Sequence, residues 1–307
     1  DNRGQLLIVT KLALARRLIH QRDQAHLGLA EQLRGSLATP KASELEFPSL
    51  CKSSRKQWEV GCAAAHQISR MHMNSGSRYA IYFVPAADQP LFRFGRAVLG
   101  YDCYTGEELA YPAFNGLAPA EWAALTREPR VYGFHATLKA PFRLLPTFDE
   151  AALVRAFAGF AASRHAIPMI KPCVRTLGPF IAIMSRRPCA ALDDLAARCV
   201  KEFDCFRAPL TRAERERRLA AGLGSPEIAN LERWGYPFVF ETFRFHMTLA
   251  GPVALRRRDV VLALMQKMFA RQCGHSDVIV DRVALLRQYN AQARFRVVAQ
   301  AQLNGET

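Results

Sequence analysis

Gly133-Phe134-His135-Ala136-Thr137-Leu138 and, 111 residues further on, Arg244-Phe245-His246-Met247-Thr248-Leu249 are two versions of one element, His-x-Thr-Leu. In a strand, residues i and i+2 share a face. His135 and Thr137 therefore share one face, as do His246 and Thr248. Phe134, Ala136 and Leu138, like Phe245, Met247 and Leu249, turn the other way and supply core. The surroundings repeat too. A strand over Val131 to Leu138 is followed by Pro141, by a helix over Asp149 to Arg164 with Thr147 as its cap, and by a hairpin. That hairpin is Lys171 to Leu177 and Phe180 to Arg186, turning at Gly178-Pro179. The second element is followed by Pro252, a helix over Asp259 to Gln272 and a hairpin of Asp277 to Gln288 and Arg294 to Gln302, turning near Asn290. The repeat units span about 131–187 and 240–303. A duplicated strand–helix–hairpin unit predicts an α+β fold of two lobes related by a pseudo-twofold axis.

Upstream, Tyr79 to Val84 (YAIYFV) is aromatic and β-branched, the pattern of a central strand, and Pro85 ends it. Residues 86–129 are mixed, with turn signals at Gly100, Thr105-Gly106 and Asn115-Gly116 and a short helix over Pro119 to Thr126. Helical segments at Ala190 to Phe206 and Thr211 to Trp234 join the two units. Residues 1–77 have weak periodicity, with a helix near Leu6 to Leu33 and then a polar, irregular stretch. The chain begins at Asp1, and Met71 and Met73 stand just before the first well-patterned strand. The expected division is an N-terminal extension, 1–77, that is an appendage or a mis-set start, and a domain over 78–307.

Composition narrows the function classes. No run of about 18 apolar residues is present, which predicts no transmembrane helix and no membrane partner. The apolar start, Leu6 to Leu18, is broken by Lys11, Arg16 and Arg17, unlike a signal peptide, so the expected compartment is the cytoplasm. The eight cysteines form no C-x-x-C pair and no Cys/His cluster with zinc spacing, so free thiols and no metal or cofactor are expected. A net charge of +15 draws polyanions and phosphorylated substrates. No G-x-x-x-x-G-K-[ST] loop occurs, which argues against ATP use through such a loop.

Two histidines meeting across a groove suit metal-independent phosphoryl chemistry. One neutral imidazole takes a proton from the attacking oxygen and the other, protonated, gives one to the leaving oxygen; an ordinary pKa of about 6.5 suits both tasks. The hydroxyls of Thr137 and Thr248 can donate to non-bridging phosphate oxygens. His135, His246, Thr137 and Thr248 are the expected catalytic set.

The twin HATLK and HMTLA elements resemble the paired signature of the two-histidine (2H) phosphoesterase superfamily, which includes RNA 2′,3′-cyclic phosphodiesterases and 2′–5′ RNA ligase-like proteins. The likeness is closer to one branch, the phosphonate-metabolism proteins found with phosphonate-utilisation operons. It is carried by RYAIYFVP (78–85), LFRFGRAVLGYD (91–102), RVYGFHATLKAPFRL (130–144), WGYPFVFETFRFHMTLAGPV (234–253) and the C-terminal hairpin, and covers about 78–303. The resemblance implies a bilobal α+β fold, with two antiparallel sheets facing a central groove, helices outside, both histidines in the groove and no metal. It implies a cyclic phosphodiesterase, a phosphoric diester hydrolase, acting on a ribose or nucleotide cyclic phosphate, with phosphonate metabolism as the setting. The expected partner is a phosphorylated small molecule or an RNA end, with no obligate protein partner. The competing readings are an RNA- or nucleotide-binding protein with little turnover and a 2′–5′ RNA ligase-like activity.

Strand parity adds substrate-binding candidates. Lys139 lies at i+4 from His135, and Arg244 shares parity with His246; both cations suit a phosphate, and surface ion pairing is the alternative. Tyr132 or Tyr82 could stack a base or sugar, or simply pack in the core. The Arg-rich segment Arg207 to Arg218 reads as a solvated helix face or, with Gly222-Leu223-Gly224 as a hinge, as a lid. His165 and His275 lack the motif and read as structural.

Overall fold

The computed structural model describes residues 76–114, 116–274 and 277–304. The expected extension, apart from residues 76 and 77, and its helix near Leu6 to Leu33 lie outside these residues. So does His275.

Nine strands and seven α-helices are described. The strands are β1 (Arg78–Phe83), β2 (Ala136–Phe142), β3 (Ile167–Ile170), β4 (Pro172–Leu177), β5 (Phe180–Ser185), β6 (His246–Ala250), β7 (Val278–Val280), β8 (Arg282–Gln288) and β9 (Arg296–Gln302). The helices are α1 (Pro90–Leu99), α2 (Pro119–Tyr132), α3 (Glu150–Ala162), α4 (Ala190–Glu202), α5 (Arg212–Leu219), α6 (Ser225–Trp234) and α7 (Leu255–Cys273). The run strand–helix–short strand–hairpin occurs twice, as β2-α3-β3-β4-β5 and as β6-α7-β7-β8-β9.

The two facing sheets of the expectation are not what forms. Seven strands make one antiparallel sheet in the order β4-β5-β6-β2-β1-β8-β9, and β3 and β7 make a small separate ladder. The reason lies in the two histidine strands. β2 and β6 pair directly, Ala136 opposite Met247. An unpaired buried strand edge would leave backbone groups without partners, so joining the two edges satisfies both at once. The hairpin of the first unit then flanks β6, and the hairpin of the second flanks β1.

The apolar side of the histidine strands is sealed by helices. Gly95 on α1 packs so closely on the Phe134 ring that a Cβ there would lie 2.1 Å from Phe134 Cγ. Phe94 meets Phe269 of α7 edge-on, with centroids 5.6 Å apart. Phe134, Ala136, Met247 and Leu249 are all fully buried. Burying side chains the size of Phe134, Met247 and Leu249 stabilises by roughly 1.5–3 kcal/mol each.

Local pattern reading missed some boundaries. The expected strand start at Val131 is helical, because α2 runs on to Tyr132. Tertiary bonds override the β-branched signal: Trp122 Nε1 donates to Val98 O (2.9 Å) and Arg130 donates to Gly100 O (2.7 Å). Helix α1 lay unrecognised in the mixed stretch, although Pro90 opens it and Gly100, at φ +66°, closes it. The cap of α3 is Asp149, which accepts from Ala152 N (2.8 Å), and not Thr147. The segment 211–234 is two helices, α5 and α6. The six described cysteines are free thiols. Among the described residues, no helix is long and apolar enough to cross a membrane.

Candidate functional site

The register of β2 and β6 builds the site. With Ala136 opposite Met247, counting one residue each way sets Thr137 across from His246 and His135 across from Thr248. On these strands Ala136, Leu138, Met247 and Leu249 are buried, while His135, Thr137, His246 and Thr248 keep partial access to solvent. The four side chains singled out by spacing thus stand together on one face, two histidines and two threonines in diagonal pairs.

Local backbone geometry aims each ring. Gly133, at φ +75°, turns the chain from α2 into β2, and a Cβ there would come within 2.7 Å of Cys103. Its carbonyl lies 2.9 Å from His135 Nδ1. The carbonyl of Arg244 lies 2.7 Å from His246 Nδ1. A carbonyl only accepts, so both Nδ1 atoms carry the proton, and in a neutral ring Nε2 is left as the acceptor. His135 Nε2 accepts from the Thr137 hydroxyl at 3.1 Å. No partner of His246 Nε2 is found among the described residues, where the ring borders the open face.

Both imidazoles are held neutral. Burial pushes His135 down from its ordinary 6.5 to about 4, the bond to Gly133 pulls the other way, and His246 adds a smaller push downward. Burial likewise lowers His246, opposed by its bond to Arg244. An acid–base pair needs one protonated ring, and at neutral pH the free site holds two bases instead.

Tyr82, fully buried on β1, sits across from Thr137 and stacks on His135, with centroids 3.8 Å apart and planes 23° from parallel. Tyr132 is 6.1 Å from His135 and stacks on Phe295 at 5.4 Å. Tyr82 is thus the wall that fixes the imidazole rather than an open platform for a base.

Lys139 shares parity with His135, yet its ammonium does not stand free in the groove. It is buried, donates to Val200 O at the end of α4 (3.0 Å), pairs with Asp204 (3.6 Å) and lies over the Phe142 ring. Burial holds it down at about 8, against the pull of Asp204. Arg244 is exposed and folds back on the carbonyls of Glu241 (3.0 Å) and Phe243 (2.6 Å), beside His246. Spacing did not reveal Arg78 and Arg143, and it offered the segment from Arg207 to Arg218 only as a solvated face or a lid; the four arginines gather past the Lys139 end of the face. They come from β1, the end of β2, the loop after α4 and α5, and no single periodicity links them.

A family profile described as "Protein of unknown function (DUF1045)" matches residues 137–296, more than half of the chain. The chain belongs to the DUF1045 family. The matched region includes Thr137, His246 and Thr248. The chain is also similar to two curated proteins named ribose 1,5-bisphosphate phosphokinase PhnN. One is from Janthinobacterium sp. (strain Marseille), 36% identical over 231 residues, covering 74% of this chain and 51% of that protein. The other is from Laribacter hongkongensis (strain HLHK9), 32% identical over 224 residues, covering 72% of this chain and 50% of that protein. The chain spans about half the length of the curated relatives it matches.

These relatives correct the expected activity. A phosphokinase transfers a phosphoryl group between metabolites, whereas the sequence reading expected a hydrolase of the cyclic phosphodiesterase type. That expectation is overturned by the names of the relatives.

Proposed function

We propose that this chain binds a phosphorylated ribose on the His135/His246 face and serves phosphonate metabolism alongside the phosphoryl transfer for which its relatives are named. The observation that carries this reading is the diagonal pairing of two histidines and two threonines across β2 and β6. Thr248 donates to phosphate oxygens, and Thr137, whose hydroxyl gives its proton to His135 Nε2 in the free site, does so once that ring is protonated. His135 and His246, neutral in the free site, take up protons when a dianion arrives, because a nearby negative charge favours the imidazolium. The site therefore recognises phosphate by hydrogen bonds and proton uptake together. The likeness to two-histidine proteins is one of ancestry under this reading, with the paired strands kept and the chemistry changed. The aligned region is half of each curated relative. The phosphoryl-donor site of those proteins then falls in their other half, and the part matched here handles the ribose phosphate.

The test is titration calorimetry of the full chain with ribose 5-phosphate and ribose 1,5-bisphosphate in two buffers of different ionisation enthalpy. Binding with net proton uptake at pH 7, weakened about tenfold or more in His246→Asn and Thr137→Val, is the expected result. Binding that both variants leave unchanged would refute the assignment.

A further inference from the structure

Past the end of β2, one cleft is bordered by Arg78, Arg143, Arg207 and Arg218, with Glu214 as its carboxylate. Its formal charge is strongly positive, and most of its members are already engaged. Arg143 donates to Pro209 O (2.8 Å) and Glu214 (3.1 Å). Glu214 also closes the capping box of α5 with Thr211, through the same Oε2 that accepts from Arg143. Arg207 is bound to both oxygens of Asp204 and to Arg233 O. Arg78 donates to Gln288 (2.7 Å).

Arg218 differs. Its guanidinium is half-buried over the Tyr236 ring, 5.3 Å from the centroid, and among the described residues it has neither a hydrogen bond nor an ion pair. Burial lowers its pKa, and Arg217 beside it adds to this, against the pull of Tyr236 and Glu214. A partly desolvated, unpaired guanidinium among three others is costly unless an anion completes it. On the rim of the cleft, Arg78 lies over the Phe295 ring (5.6 Å), whose centroid is 6.3 Å from that of Tyr82. Tyr82 in turn stacks on His135, with centroids 3.8 Å apart. Arg78 lies four residues from Tyr82 along β1, about 13 Å at 3.3 Å per residue, a gap that the arginine side chain shortens.

We propose that this arginine cleft is a second phosphate subsite, which takes the far phosphate of a bisphosphorylated sugar whose near phosphate lies at His135 and His246. Arg143 and Arg207 hold the cleft's walls through protein contacts. Arg218 and Arg78 supply the free N–H groups, and Tyr236 is the flat surface between the two ends. The placement of the near phosphate rests on the function proposed above; the anion subsite itself does not.

The experiment titrates inorganic phosphate, ribose 5-phosphate and ribose 1,5-bisphosphate into the full chain and into Arg218→Gln and His246→Asn, with melting temperature as the folding control. Among the described residues Arg218 makes no hydrogen bond or ion pair, and its one ring contact is with Tyr236, so Arg218→Gln is expected to melt close to the parent. Inorganic phosphate should bind the parent and His246→Asn and lose roughly tenfold or more in Arg218→Gln. Ribose 1,5-bisphosphate should bind the parent at least about tenfold tighter than ribose 5-phosphate, and Arg218→Gln should erase that preference. Inorganic phosphate that fails to bind at millimolar concentration, or binds Arg218→Gln as it binds the parent, overturns the subsite. Phosphate lost in Arg218→Gln while His246→Asn leaves every ribose phosphate unaffected keeps the subsite and sinks only the histidine reading. A bisphosphate preference that survives in Arg218→Gln overturns the bridging ligand.

Discussion

Replacing His135 by Asn converts the half-buried imidazole into a pH-independent probe of its own cost. An Asn amide can still donate to Gly133 O, the bond that His135 Nδ1 makes at 2.9 Å, but it cannot take up a proton. The sign follows from proton counts. The native ring titrates at about 4 and the ordinary ring at 6.5. Between these values the unfolded chain binds the extra proton and the native chain does not. Stability contributed by the neutral buried ring is therefore complete above pH 6.5 and is lost as pH falls toward 4. Integrated over that window, the loss is about 3 kcal/mol. The assay is urea unfolding of the full chain and His135→Asn at closely spaced pH values. Carboxylates common to both proteins titrate in the same range and cancel in the difference. The difference in unfolding free energy between parent and variant should be flat above pH 6.5 and move by about 3 kcal/mol against the parent by pH 4. A difference that stays constant through this window would refute the buried, neutral assignment, and with it the proton uptake on phosphate binding.

Gly95→Ala should destabilise by about 2 kcal/mol in chemical denaturation, because the clash with Phe134 outweighs a helix-propensity gain of about 1 kcal/mol; displacing Phe134 should also weaken ribose-phosphate binding at the adjoining His135. Tyr82→Ala should cost about 3–5 kcal/mol, while Tyr82→Phe, which keeps the ring on His135, should stay within about 1 kcal/mol. In Tyr82→Ala, NMR titration should find the His135 pKa back toward its ordinary value, as water reaches the ring. Lys139→Met should change stability by no more than about 1 kcal/mol, since methionine fills the buried stem's volume and Asp204 keeps Arg207. Asp204→Ala, which strips the buried ammonium of its partner, should cost about 2 kcal/mol by the same measurement.

The sequence by itself settled the parts of this protein that depend on neighbours in the chain. Period-2 alternation placed His135 with Thr137 and His246 with Thr248 and turned Phe134, Met247 and Leu249 into the core, because the pleat allows no other arrangement. Helical spacing located α3, α4 and α7 to within a few residues, and the Gly178-Pro179 turn located the first hairpin. Tertiary structure decided the rest, because it depends on residues distant in sequence. One sheet rather than two formed because the edges of β2 and β6, more than a hundred residues apart, satisfy each other's backbone groups. Lys139 has the parity of a groove residue but was claimed by the end of α4, which no strand pattern encodes. The four arginines became one cleft only when α5 docked against the end of β2. Protonation was the least legible. A histidine's letter carries a pKa near neutrality; the packing of the ring against Tyr82 lowers it, and the Gly133 carbonyl decides which nitrogen keeps the proton.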